Sequence, residues 1–196
     1  EGLDNLYMYI HTVPTPEMGG IDLIGMVKSL GLQERIFLPR PDVFPMGGLS
    51  RDELAELYNM FDLYACPSTA EGFGIPLVEA QACGVPVTAT RFTAMEELCS
   101  SGWFIEPVTH YLTNMNAWRA IPNIKSIEDR IRYAYENPDE LAEKGNAARE
   151  FSKEYEWDTV VNDGWLPALD VMEHRLNKQR QSVPTMTSIS RPELDL

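Results

Sequence analysis

Two acids, Glu71 and Glu79, flank a glycine turn in the run Glu71-Gly72-Phe73-Gly74-Ile75-Pro76-Leu77-Val78-Glu79. Gly72 and Gly74 can take backbone angles closed to other residues and let a ligand approach the main chain. Pro76 suits the first turn of a helix, where a missing N–H is no loss. The amides around Ile75 and Leu77 would then face outward at the positive end of the helix dipole, an anion site suited to a phosphate. A phosphate repels carboxylates, so Glu71 and Glu79 should face a neutral, hydroxyl-rich group. Sugars and ribose fit, because each carboxylate can accept two hydroxyl hydrogen bonds.

The elements that must position this turn follow from the flanking patterns. Asp62 to Pro67 reads as a buried strand, and Gly84 to Ala89 as a turn and the next strand. The order is therefore strand, acidic glycine loop, helix, strand, with the loop at the carboxyl end of a strand, where open α/β sheets bind ligands. Upstream, residues 6–12 read as a strand. Ile21, Ile24, Val27 and Leu30 recur at helical spacing, and residues 35–38 form a second strand. Ser50 followed by Glu53 is a capping box for a helix over 50–61. Downstream, residues 91–98 read as a loop and short helix, 103–106 as a short strand, and 107–124 as an inserted loop. Helices are expected over 126–136, 137–155 and 157–180. Alternating strands and helices predict an α/β fold with a parallel, Rossmann-like sheet, flanking helices and a helical C-terminus.

Composition narrows the class. The 196 residues are 44% hydrophobic and 23% charged, as expected of a globular domain with a sizeable core. A net charge of −14 argues against nucleic acid or an anionic membrane as a partner of a basic surface. No Met, signal-like segment or transmembrane run opens the sequence at Glu1. Cys66, Cys83 and Cys99 have no metal-ligand spacing and lie among apolar residues, which points to a reducing, cytoplasmic setting. His11, ending a strand in apolar company, reads as structural. Arg40 and Arg91 read as surface cations with phosphate contact as the rival role.

The run PSTAEGFGIPLVEAQACGVPVTAT, residues 67–90, resembles the donor-site signature of retaining GT-B glycosyltransferases of family 4 (group 1). That pattern is a Glu, seven residues and a second Glu, with GFG after the first. The upstream residues 49–64 match in order as well, and the resemblance spans roughly residues 6–176. It implies one half of a GT-B fold, the C-terminal donor-binding domain over 1–181 with its last helix over 157–181, followed by a polar tail over 182–196. The missing part is the N-terminal Rossmann-like domain, together with a first strand–helix unit whose basic pair grips the diphosphate. The apolar stripe Val160, Val161, Trp165, Leu169 and Met172 reads as core. In the resembled family the last helix crosses back to the first domain, so part of this stripe would be bare and could pair the chain into a homodimer.

The resemblance also implies roles. Glu71 would be the catalytic acid that reaches the donor sugar. Glu79 would bind the ribose hydroxyls, and Gly72, Phe73 and Gly74 would face the sugar. Ile75 and Leu77 would offer amides to the diphosphate, and Leu38 and Arg40 would lie by the base. The implied reaction transfers a hexose from a UDP- or GDP-sugar to a sugar or glycan acceptor, without a cofactor. No metal is expected, since no DxD-type cluster occurs in the sequence. By itself the chain is expected to be inactive and to bind nucleotide weakly. Two rivals stay open. One is a nucleotide-sugar epimerase of the same architecture, which would need more acids and histidines than the three His here supply. The other is a non-catalytic binding or interaction module, which the intact pair Glu71 and Glu79 argues against.

Overall fold

The computed structural model describes residues 3, 5–16, 20–40, 43–44 and 48–182, with side chains to Arg180. The chain forms two compact units, residues 1–152 and 153–196. In the first, β1 (Met8–Tyr9) pairs in parallel with β2 (Ile36–Phe37), and α1 (Leu23–Ser29) connects them. α2 (Arg51–Tyr58) follows and starts on the expected capping box. Glu53 N–H donates to Ser50 Oγ at 3.3 Å, and Ser50 N–H donates to Glu53 Oε2 at 2.8 Å.

β3 (Tyr64–Cys66), α3 (Ile75–Ala82), β4 (Val87–Thr90), α4 (Met95–Leu98) and β5 (Trp103–Ile105) form the central layer. The strands run parallel in the order β3-β4-β5, with Ala65 opposite Thr88 and Ala89 opposite Phe104. The parallel strands thus fall into two hydrogen-bonded groups, β1-β2 and β3-β4-β5. Every residue of β4 is buried, as a parallel strand covered on both faces requires. α3 and α4 pack over it through Leu77, Ala80, Met95 and Leu98. Gln81 is fully buried in this layer and all its amide groups are used. Its Nε2 donates to Leu77 O (2.9 Å) and Leu98 O (2.8 Å), and its Oε1 accepts from Ser101 Oγ at 3.0 Å. A buried polar side chain satisfied in this way ties α3 to the α4–β5 connection rather than weakening the core.

Residues 107–124, expected as an inserted loop, instead form an antiparallel hairpin of β6 (Pro107–Leu112) and β7 (Trp118–Pro122). Pro107 and Pro122 are paired at its open end, where an N–H is dispensable. Asn116, at a φ of 55°, makes the left-handed position of the turn. α5 (Ile124–Glu136) is capped by Asn123 rather than started by Ser126, and α6 (Pro138–Ser152) completes the unit.

The second unit is helical. A 3-10 turn (Lys153–Tyr155) leads into α7 (Trp157–Thr159), a π-helical turn (Val160–Trp165) and α8 (Leu166–Ser182). The expected helix over 157–180 is thus present, with a π-helical turn over Val160–Trp165. Its apolar stripe is not core: Trp165, Leu169 and Met172 are exposed. The expected polar tail lies outside the described residues beyond Ser182. Among the described residues no helix is long and apolar enough to cross a membrane.

Two threonines on β4 differ in a testable way. Thr88 Oγ1 donates to Trp103 O at 2.9 Å, whereas Thr90 Oγ1 is buried with no partner among the described residues. Thr88→Val should therefore cost about 1 kcal/mol in urea unfolding, while Thr90→Val should be neutral or stabilising. Equal losses for both would contradict this packing.

Candidate functional site

Because β3, β4 and β5 are parallel, the segments that follow them leave one edge of the sheet together. After β3 comes the acidic loop, after β4 the segment Arg91–Ala94, and after β5 the hairpin. The acidic loop turns into α3 at Gly74, whose φ of 97° and ψ of 51° are left-handed. A Cβ there would also sit 3.2 Å from Leu77 Cδ1 and 3.5 Å from Leu98 Cδ1. The conformation favours glycine, and the tight approach of Leu77 adds to the preference. Leu77, fully buried, anchors the first turn of α3 in the core.

The two acids are held differently. Glu71 is fixed through its main chain: its N–H donates to Thr93 Oγ1 at 3.1 Å, and Thr93 Oγ1 donates to Phe92 O at 2.7 Å. Thr93 has a φ of 53°, a state that costs a β-branched residue about 1–3 kcal/mol. Glu79 is fixed through its carboxylate: Tyr58 Oη donates to Glu79 Oε2 at 3.1 Å. Tyr58 is buried at the end of α2 and meets Tyr64 and Phe61 edge-on, at 6.0 and 6.3 Å between ring centres. Burial pushes the Tyr58 phenol well above its usual range, and the Glu79 charge adds to the effect. Tyr64 is pushed up too, by burial first, then by Cys66, Glu71 and Glu79. Both carboxylates therefore act on the Tyr64 phenol.

The hairpin braces the acidic loop from the other side. Ala120 N–H donates to Thr69 O at 2.8 Å, and Arg119 Nη1 donates to Thr69 Oγ1 at 3.0 Å. His110 on β6 lies 4.8 Å from the Phe92 ring, beside Thr93. Arg91 pairs with Glu106 at 3.0 Å and sits 4.3 Å over the Phe104 ring, so it is engaged as a local strut. Among the described residues no group of three or more His, Cys, Asp or Glu is placed to hold a metal ion.

A family model described as "Glycosyl transferases group 1" matches residues 24–151. The chain belongs to this family. A D-inositol 3-phosphate glycosyltransferase of Gordonia bronchialis is 30% identical over 152 residues, 75% of this chain and 29% of that protein. The serotype-specific mannosyltransferase WbdA of Escherichia coli is 37% identical over 79 residues, 40% of this chain and 9% of that protein. The chain thus spans less than a third of the length of the relatives it matches. In fold it matches GT-B glycosyltransferases. Anabaena Alr3699/HepE in complex with UDP-glucose gives a TM-score of 0.58 at 20% identity, covering 91% of this chain and 41% of that one. The C-terminal domain of a group 1 protein, LpcC of Francisella tularensis, gives 0.55 at 21% identity over 74% and 66%.

Within this group 1 chain the expected site residues fare unequally. Glu71 and Glu79 are half-buried, and Gly72, Phe73 and Ile75 are exposed beside them. Leu77 does not present its amide: the N–H donates to Gly74 O at 2.9 Å, and the side chain is core. With Pro76 lacking an N–H, Ile75 is the residue of the first turn whose amide helix geometry leaves without an intrahelical partner. Leu38 is half-buried and Arg40 exposed, on the segment after β2. None of the hydrogen bonds that fix Glu71 and Glu79 involves them. Tyr58, Thr93 and Arg119 were not read from the sequence as site residues, because their partners lie 21, 22 and 50 positions away.

The Tyr58–Glu79 bond has a pH signature. A phenol whose folded pKa is raised contributes stability fully below its unfolded value of 10.0, and this is lost as pH climbs above it, because the unfolded phenol ionises first. Tyr58→Phe should cost about 1–3 kcal/mol at neutral pH in urea unfolding. The gap to wild type should narrow at about pH 11. A gap independent of pH would contradict the bond.

Proposed function

We propose that this chain is the donor-binding half of a retaining hexosyltransferase that uses a UDP- or GDP-sugar. The observation that carries this reading is the arrangement of the two acids around the left-handed turn at Gly74. One acid is held by its main chain, the other by a buried phenol. Tyr58 occupies one oxygen of Glu79, Oε2, and thereby orients the carboxylate toward a diol such as ribose. Glu71, held through its N–H to Thr93, directs its carboxylate to the hydroxyls of the donor sugar. The Ile75 amide at the N-terminus of α3 meets the diphosphate between them. UDP and UDP-glucose are bound by the Anabaena protein of similar fold, which supports a uridine donor.

In the reaction we envisage, the bond between the anomeric carbon and the diphosphate oxygen breaks as an acceptor hydroxyl adds from the same face. The hydroxyl proton passes to an oxygen of the departing phosphate. The helix N-terminus stabilises the negative charge on the leaving group, and Glu71 stabilises the positive charge on the sugar ring. Neither step calls for a metal or cofactor. The acceptor, a sugar or glycan, would be held by an N-terminal Rossmann-like domain across a cleft, and further phosphate-binding cations would come from a strand–helix unit that opens the donor domain. The protein would work in the cytoplasm, where sugar nucleotides are made.

Two substitutions separate the roles in a calorimetric titration with UDP, GDP, UDP-glucose and GDP-mannose. Glu79→Gln should weaken nucleotide and conjugate alike, by about tenfold or more. Glu71→Gln should weaken only the conjugate. Binding unchanged by both substitutions would rule out this site.

A further inference from the structure

We propose that Thr93 is a positioning residue for Glu71, setting the main chain of the acid so that its carboxylate meets the donor sugar. The inference rests on the donor-site reading above. Its physical basis is a strained residue whose hydroxyl and carbonyl are both engaged. The Thr93 hydroxyl accepts from Glu71 N–H at 3.1 Å and donates to Phe92 O at 2.7 Å. The Thr93 carbonyl accepts from Glu96 N–H at 3.0 Å and so begins the turn of α4. A φ of 53° suits glycine and disfavours a β-branched side chain. A residue kept in such a state points to a function for what it adds over glycine. What Thr93 adds here is the hydroxyl that reaches Glu71.

The surroundings make the strain sustainable. Arg91 N–H donates to Ile105 O at 2.9 Å, and Phe92 N–H donates to Thr90 O at 2.8 Å, so the chain is fixed just before Thr93. The Phe92 ring rests against His110 of the hairpin. Immediately after Thr93, Met95 and Leu98 of α4 are buried. The segment cannot relax without disturbing the sheet, the hairpin or α4. The Glu71 amide is thereby referred to the β4–β5 framework rather than to its own exposed loop. A shift of that amide would swing the carboxylate away from the sugar while leaving Glu79, held by Tyr58, in place.

The test compares wild type with Thr93→Ser, Thr93→Ala and Thr93→Gly in the full chain. Calorimetry with UDP, UDP-glucose, GDP and GDP-mannose is combined with amide hydrogen exchange at Glu71 and thermal unfolding. Glycine should melt higher than alanine, because it relieves the positive φ. Sugar-nucleotide binding should nevertheless fall equally in both, between about twofold and tenfold, with the sugar-free nucleotides unchanged. Serine should restore wild-type binding, and Glu71 exchange should accelerate only in alanine and glycine. If binding instead follows thermal stability, or nucleotide and conjugate weaken together, Thr93 only holds the loop and the positioning role is overturned. A wild-type chain that binds none of the four probes overturns the donor-site reading itself, and the positioning role with it.

Discussion

The left-handed turn at Gly74 is the constraint on which the site depends. It lets the loop that follows β3 turn into α3, with a Cβ at that position in close contact with Leu77. Leu77 and Ala80 are buried, so the start of α3 cannot rise from the sheet. Gln81, bonded to both Leu77 O and Leu98 O, locks the same turn from below. One acid is thus delivered just before the turn, held at Thr93, and the other just inside the helix, carried by the core packing of α3.

The electrostatics of this arrangement favour short-range recognition. A chain with a net charge of −14 repels a diphosphate at long range. Arg91 is paired with Glu106, and Arg119 donates to Thr69, so both are engaged in holding the edge together. In the proposed donor site, the attraction supplied by the described residues would come from the helix N-terminus and from hydroxyl contacts made by oriented carboxylates. This accounts for the asymmetry between the acids. Glu79 has one oxygen fixed by a buried phenol, and Glu71 has its backbone fixed by a strained threonine.

Much of this was legible in the sequence because the signals were local. The capping box of Ser50 and Glu53, the Gly74–Pro76 helix start and the strand of Val87–Thr90 each rest on neighbouring residues. The misses share a different cause. The hairpin was hidden because Pro107 and Pro122 read as breakers, although they end strands rather than interrupt them. The Leu77 amide looked available because the tight bond to Gly74 O is a feature of the turn, not of residue types. Tyr58, Thr93 and Arg119 depend on contacts across the sheet edge, which one-dimensional spacing does not contain. The apolar residues Trp165, Leu169 and Met172 follow helical periodicity yet are exposed, since periodicity identifies an amphipathic face and not what covers it.

The most direct test of the donor-site account is a map of backbone amide shifts by NMR as the chain is titrated with UDP-glucose and with GDP-mannose. The account predicts that one of them produces its largest shifts at Gly72, Phe73, Gly74 and Ile75, with smaller ones at Thr93. Shifts confined to another surface, such as the cleft between Ser100 and Lys144, would contradict it. So would their absence at millimolar concentrations of both ligands.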